Sequence, residues 1–274
     1  MIELRCPVCG EHLQQNEKTW RCEQGHTFDV ARQGYVNLLP VTQKHSLHPG
    51  DTKEQVAARR DFLDGGYYMP IVQTLAAMLR EYCPDCQAVL DVGCGEGYYL
   101  SKLPQIPQRW GIDVSKEAVR HAAAREKNAQ FLVATASHLP FAEASFDALL
   151  SMFALTMPEE FSRVLKADGI FIQVLAGEHH LPHLKSLIYP EQKEKEKLLH
   201  PQLPGFKLLH SRTLEFHFAL TEPQQVKNLL YMTPHVWRIT KQGAERLMQV
   251  QRLEDDAQVV FNVYAGHSGA NLLE

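Results

Sequence analysis

The chain has 274 residues, with 28 Lys and Arg against 32 Asp and Glu, for a formal net charge of −4. Hydrophobic residues at 45% and charged residues at 22% exclude wholesale disorder and allow one large domain, or a medium domain plus a small module. The longest nearly apolar stretch, Ala148 to Met157, is too short to span a bilayer, and Met1 to Cys6 has no apolar signal core, so a cytoplasmic, membrane-free protein is expected.

Three of the six cysteines lie in the first 22 residues, in the order Cys6-Pro-Val-Cys9 and then Cys22-Glu-Gln-Gly-His26. Each pair sits at ligand spacing on a tight knuckle, with Gly10 turning the first and Gly25 relaxing the second. Cys6, Cys9, Cys22 and His26 make a closed set of four N/S ligands, the structural kind of Zn²⁺ site, without an open position for substrate. The residues between read as two short strands about a polar turn near Asn16. So small a module cannot build an adequate core, and a metal is the expected staple. Residues 1–36 are therefore expected to form a zinc finger.

Residues 37–68 read as a linker with one helix, Lys53 to Asp64, which carries Arg59 and Arg60 and stops at Gly65-Gly66. A helix is predicted over 69–81. Cys83-Pro-Asp-Cys86 follows that helix and precedes a strand, whereas redox dithiols open a helix after a strand. The pair reads as incidental, with a metal or redox role as the alternative.

Ala88-Val-Leu-Asp-Val92 suits a buried parallel strand and runs into Gly93-Cys-Gly-Glu-Gly97, then a helix from Tyr98. Strand, glycine turn and helix bring backbone close to a ligand. The next strand, residues 110–114, carries Asp113, twenty residues after Gly93 and placed to accept from ribose hydroxyls. The two features together predict an adenosine ligand. A dinucleotide fingerprint would need a third glycine where Tyr98 stands, and no G-x-x-x-x-G-K-[ST] segment supplies a phosphate cradle. The G-x-G-x-G spacing found, preceded by Asp91, resembles motif I of class I S-adenosylmethionine-dependent methyltransferases. Gly93, Gly95, Glu96, Gly97 and Asp113 are the cofactor residues this implies. Many members of that class accept from the adenine amino group with an Asp after the third strand. Thr135-Ala-Ser-His138 has none, which leaves Ser137 or backbone for that contact.

Strands follow at residues 130–134, 146–151 and 170–174, with an amphipathic helix at 159–166 that ends at Ala167-Asp-Gly169. The expected fold is α/β: a Rossmann-like class I methyltransferase domain over residues 69–274, with a seven-stranded, mostly parallel sheet behind the small zinc finger.

The knuckle pairs, Gln33-Gly-Tyr-Val-Asn-Leu-Leu39, Pro49-Gly-Asp51, Ala58-Arg-Arg-Asp-Phe-Leu-Asp64, the glycine loop and Met232-Thr-Pro-His-Val-Trp-Arg238 together resemble one family. It is the bacterial 23S rRNA guanine-N1 methyltransferases, which modify guanine 745 or guanine 748 in hairpin 35. The resemblance implies a finger that helps recognise rRNA and a homodimer whose two fingers help form an RNA cleft. It implies S-adenosyl-L-methionine as cofactor and structural Zn²⁺ on Cys6, Cys9, Cys22 and His26. Cofactor contacts fall on Gly95, Glu96, a tyrosine matching Tyr68 (Tyr67 is the adjacent alternative) and a histidine matching His180, with His179 and His183 as neighbours. Alternatives in other classes are a small-molecule methyltransferase, which leaves the finger unexplained, and a non-catalytic rRNA-binding protein, which has no need of a cofactor site.

Guanine N1 carries a proton that a base or water must take during methyl transfer. Candidates after the fifth strand are Glu178, His179, His180 and His183, with Glu178 and His180 foremost. Tyr231, Trp237 and Arg238 are candidate base platforms, weighed against core packing. The acidic balance speaks against broad phosphate binding, and residues 1–60 hold eight basic and seven acidic side chains. The most basic stretch outside them, residues 185–212, has six basic and three acidic. RNA would then be held by local patches, histidines and shape, with a modest salt slope. Leu273-Glu274 have the look of a cloning scar and receive no weight.

Overall fold

A computed structural model describes residues 2–43, 49–189 and 197–266. The terminal Leu273-Glu274, residues 44–48 and the part of the basic stretch within residues 190–196 lie outside the described residues.

The N-terminal strands β1 (Leu4–Arg5), β2 (His12–Asn16), β3 (Thr19–Arg21) and β4 (Thr27–Asp29) form an antiparallel ribbon in that order. The expected polar turn joins β2 to β3, with Glu17 at φ 52°.

The main sheet contains β5 (Val36–Asn37), β6 (Ala88–Val92), β7 (Gln108–Asp113), β8 (Gln130–Val133), β9 (Phe146–Met152), β10 (Leu165–Ala176), β11 (Phe206–Leu220) and β12 (Leu253–Gly266). Their spatial order is β11-β12-β10-β9-β6-β7-β8-β5. Strands β5 to β10 run parallel, and β12 pairs antiparallel with β10 and β11. The sheet has eight strands rather than the seven expected. The extra one is β5, whose Val36 and Asn37 straddle the boundary expected between finger and linker and pair with Leu132 and Val133. All five residues of β6 are buried, as a parallel strand covered on both faces requires.

The helices that position the site are α1 (Lys53–Asp64), α2 (Met69–Tyr82), α3 (Tyr98–Lys102), α4 (Lys116–Arg125), α5 (Pro158–Val164), α6 (Pro182–Ile188), α7 (Pro223–Tyr231) and α8 (Lys241–Gln249). Thr52 starts α1 with a capping box to Gln55, and Ser115 caps α4 by accepting from the Ala118 N–H. Helix α5 stops at Val164, two residues before the expected end, because Leu165 is already extended and begins β10. A register shift between Leu165 and Ile170 accommodates Ala167-Asp-Gly169 inside the strand.

The ribbon is not a tethered bead. Arg5 N–H donates to Pro140 O at 3.0 Å and Ala142 N–H to Glu3 O at 3.1 Å, so β1 lies along the segment after β8. Leu4, Cys6, Leu13 and Cys22 share one buried cluster with Trp110, Phe141, Phe146 and Phe161. Leu4 and Leu13 are each only 1% exposed, and such burial stabilises by about 1.5–3 kcal/mol per side chain.

Cys83 and Cys86 are free thiols in the turn between α2 and β6, where the Cys86 N–H donates to Cys83 O at 3.1 Å.

Candidate functional site

Both knuckles form as their glycines require. Gly10 and Gly25 have φ of 80° and 87°, and their N–H groups donate to Cys6 O and Cys22 O. Cys6 Sγ lies 3.7 Å from His26 Nδ1, Cys9 Sγ 3.7 Å from Cys22 Sγ, and Cys22 Sγ 3.3 Å from His26 Nδ1. A tetrahedron with Zn–S bonds of about 2.3 Å has edges of about 3.7 Å, so the four ligand atoms fit a zinc ion. They are the one such group found among the described residues.

The second site lies along the carboxyl ends of neighbouring strands, where open parallel sheets bind ligands. In sheet order, β10, β9, β6, β7 and β8 end in the His180 loop, Phe153, the glycine loop, Asp113 and the Ser137 turn.

Gly93, Gly95 and Gly97 all take positive φ, at 77°, 55° and 80°. The N–H groups of Gly93 and Cys94 both donate to Ile112 O at 2.9 Å, which stitches the loop to β7. Asp113 organises the same turn: one carboxylate oxygen accepts from the Gly95 N–H at 3.0 Å, the other from the Ser115 N–H at 2.8 Å. Its remaining lone pairs are what ribose hydroxyls would use. Burial raises its pKa.

Two further carboxylates sit under the loop. Glu96, 1% exposed, pairs with Arg125 Nε at 3.2 Å, and Arg125 also reaches Asp64 at 2.7 Å. Burial nevertheless pushes Glu96 up to about 7. Asp91 is fully buried, and neither of its oxygens has a hydrogen-bond partner among the described residues. Burial, with Asp113 and Glu96 nearby, pushes it up to about 7. A buried orphan carboxylate is costly unless something binds it, and a cationic ammonium beside the glycine loop would supply the missing partner.

The expected linker helix roofs this loop. Arg59 on α1 pairs with Asp51 at 2.7 Å and donates to Met232 O at 3.3 Å, and a Cβ built on Gly95 would stand 3.3 Å from Arg59 Nη1. Ser115 Oγ in turn donates to Asp51 O at 2.9 Å. The Pro49-Gly-Asp51, Arg59 and Met232 segments, far apart in sequence, thus meet over one loop. Sequence reasoning placed Asp51 and Arg59 in a linker, since nothing local in a helix of mixed charge tells which surface it will face.

On the other side, Tyr68 is buried beneath Phe62, Phe216 and Phe218, and its hydroxyl lies 3.3 Å from His180 Nε2. His180 is 7% exposed, and burial with Lys185 and Lys197 nearby pushes it down to about 3, so the ring is neutral. The alternative, Tyr67, packs on Phe62 and Phe218. Glu178, His179 and His183 are exposed, and the His183 ring lies 3.4 Å from buried Asp255. Ser137 is exposed, with its Oγ 2.9 Å from Thr135 Oγ1. Trp237 is 71% exposed and Arg238 exposed, which answers the core-packing alternative, while Tyr231 is half-buried beneath Lys227. Phe153, which sequence reasoning did not single out, follows β9 at φ 57° with its ring 6.1 Å from that of His180; a positive φ on an aromatic residue leaves no mark in the sequence.

Similarity to known proteins follows the same two sites. The family description "RlmA, N-terminal", a zinc ribbon, matches residues 4–47, and "Methyltransferase domain" matches residues 90–173. The chain is 35% identical over 245 residues to a 23S rRNA (guanine(748)-N(1))-methyltransferase of Streptomyces fradiae, covering 85% of each chain. It is 29% identical over 263 residues to a putative 23S rRNA (guanine-N(1)-)-methyltransferase of Bacillus subtilis, covering 90% of this chain and 92% of that one. Among solved structures, a putative type II methyltransferase from Anaeromyxobacter dehalogenans superposes with a TM-score of 0.50 at 20% identity. That match covers 71% of this chain and 95% of the other, and it shows the shared fold.

Proposed function

The chain belongs to the 23S rRNA (guanine-N1)-methyltransferase family, and from that premise we propose that it methylates N1 of a guanine in hairpin 35 of 23S rRNA. One observation supports the reading beyond similarity: the metal-ligating ribbon shares a core with the sheet that carries the glycine loop. A small-molecule methyltransferase has no use for the ribbon, and a passive RNA-binding protein has none for the orphan carboxylate at the glycine loop. Arg5, His138 and Arg163, with Leu139, Phe141 and the acidic Glu160, line a cleft of about 550 Å³ where ribbon and sheet meet, which gives a mixed surface beside the ribbon.

S-adenosylmethionine, when bound, supplies a methyl group activated on a sulfonium. Asp91 would hold its ammonium, Asp113 its ribose hydroxyls, and Gly95, Glu96, Tyr68 and His180 the wall around it. Ser137 is the proposed adenine contact. Neutral His180 is suited to hydrogen bonding and is a poor proton acceptor. Glu178, exposed on the same loop, is the proposed acceptor of the N1 proton. Glu178→Gln is expected to slow transfer about 10²-fold at saturating cofactor, the lower range of general-base effects, and an unchanged rate would remove it from the mechanism. Cys6, Cys9, Cys22 and His26 hold the zinc that shapes the ribbon. We propose that the working form is a cytoplasmic homodimer, which would double the small basic patches; light scattering of the purified protein tests the dimer. Among the described residues, no helix is long and apolar enough to cross a membrane.

Cofactor binding should depend on pH through Asp91. An ammonium binds the ionised carboxylate, so affinity should rise with pH up to about 7, the value burial imposes, and level off above it. In calorimetric titrations, Kd is expected to weaken about five- to tenfold from pH 7.5 to 6, and Asp91→Asn to flatten that slope while weakening binding throughout. Free-protein stability runs the opposite way. A carboxyl raised above its unfolded value stabilises fully in acid and loses that contribution as pH rises through 7. The cofactor-induced rise in Tm should therefore grow with pH, and a flat response would remove Asp91 from the ammonium site.

The decisive experiment is tritiated methyl transfer from S-adenosylmethionine into unmethylated 23S rRNA, with base analysis and mapping of the product. Label in 1-methylguanine within hairpin 35 is expected, and the mapped position separates guanine 745 from guanine 748. Cofactor binding with no label in RNA would overturn the reading.

A further inference from the structure

Phe153 is an oddity of this fold. It follows β9 at φ 57°, a left-handed conformation that is uncommon outside glycine and strained for a bulky residue. It is also 40% exposed, so apolar burial does not compensate the strain, and its neighbour Leu155 is 79% exposed. The turn is nevertheless pinned. The Phe153 N–H donates to Val174 O at 2.9 Å, Ser151 Oγ to Ala154 O at 3.2 Å, and Gln173 Nε2 to Thr156 Oγ1 at 2.9 Å. Strain that the surroundings over-determine is a mark of functional positions.

Its place tells what it faces. The next residue, Ala154, abuts the glycine loop so closely that a Cβ on Gly93 would stand 2.6 Å from Ala154 Cβ. On the other side, the Phe153 ring lies 6.1 Å from the His180 ring, tilted by 31°. Phe153 thus stands between the methyl-donor loop and the histidine paired with Tyr68, with an open face toward solvent. A planar acceptor must be out of its base stack to be methylated at N1, and a flat apolar ring beside the donor replaces the lost stacking.

We propose that Phe153 is the stacking platform for the target guanine, holding the unstacked base against the donor loop. This role rests on the rRNA-guanine reading above. Stacking does not distinguish bases by itself, so the platform sets position and leaves base identity to polar contacts.

The test uses the full-length protein, unmethylated 23S rRNA transcript and tritiated S-adenosylmethionine. Phe153→Asn, whose side chain tolerates the left-handed conformation, is expected to keep its thermal stability and its cofactor affinity within twofold. Its kcat/KM for RNA is expected to fall ten- to a hundredfold, the range for loss of one base–aromatic contact. Phe153→Trp is expected to stay within about threefold of the unmodified protein, because the platform is retained. The role is overturned if Phe153→Asn transfers methyl within twofold of the unmodified rate, if Trp substitution costs as much as Asn, or if cofactor affinity falls in parallel with activity. An unmodified protein that labels no RNA overturns the rRNA reading itself, and with it this role. That outcome is visible before any variant is made.

Discussion

Gly93→Ala is expected to lower affinity for S-adenosylmethionine about 10²-fold and to destabilise the protein by about 2–4 kcal/mol. Two effects add at this position. An L-residue held at φ 77° costs about 1–2 kcal/mol in the backbone. The new Cβ then meets Ala154 Cβ at 2.6 Å, a contact that neither short side chain can relieve by rotating, so the turn after β9 or the glycine loop must shift. Moving the loop disturbs the two N–H donations to Ile112 and the grip of Asp113 on the Gly95 N–H. Gly66→Ala is the matched control. Gly66 has φ 80° with nothing within 4 Å of its Cβ position, so only the backbone cost of about 1–2 kcal/mol is expected, with cofactor affinity intact. Calorimetric titration and thermal denaturation of both variants measure the difference. Equal affinities would show that the loop is not the donor site.

Cys22→Ser is expected to remove the zinc, unfold the ribbon and abolish methyl transfer to RNA while leaving S-adenosylmethionine binding within about threefold. A structural zinc contributes about 10–16 kcal/mol of apparent binding free energy in small modules, and a hydroxyl is a poor replacement for a thiolate. The ribbon's fold is expected to depend on that energy, because Leu4 and Leu13 are its only fully buried residues besides the ligands among those described, with Ile2, Trp20, Phe28 and Val30 partly buried around them. Unfolding it releases β1 from Pro140 and Ala142 and exposes two leucines worth about 1.5–3 kcal/mol each. At about 2–4 °C per kcal/mol for a larger domain, a fall in Tm of roughly 10 °C follows. Metal analysis should drop from one zinc per chain to near none, and amide exchange should rise in both the ribbon and residues 139–142. Retained exchange protection in the ribbon would contradict a folding role for the metal. Loss of cofactor binding would mean that the two sites are coupled more tightly than the loop's hydrogen bonds imply.

Much of the fold was legible because its signals are local. Helix α1 begins and ends where Thr52 and Gly65-Gly66 place it, and β6 occupies the run Ala88 to Val92, since caps, glycines and apolar runs act through near neighbours. The cluster of four candidate zinc ligands was legible for the same reason: each pair is fixed by its own knuckle, and only the meeting of the two knuckles needed folding. The Gly93 loop and Asp113 could be read because strand, turn and strand are consecutive in the chain.

What escaped the sequence depends on contacts between distant segments. The eighth strand exists because Val36-Asn37 finds an open edge on β8, an event that no propensity encodes. Arg59 reads as one charge on a helix of mixed charge until α1 lies over Gly95, and Asp91 reads as the residue before a glycine motif until both its oxygens are found buried without a hydrogen-bond partner among the described residues. The net charge of −4 likewise left open how RNA would be held. By itself the sequence determined a ribbon with four clustered metal-ligand candidates, a parallel sheet and a glycine loop after its first central strand, because hydrophobic period, turn chemistry and ligand spacing are short-range. Tertiary structure alone decided that ribbon and sheet share one core, that α1 roofs the glycine loop and that the strained turn at Phe153 abuts that loop. Burial and orphaned charge arise only when residues far apart in the chain are packed together.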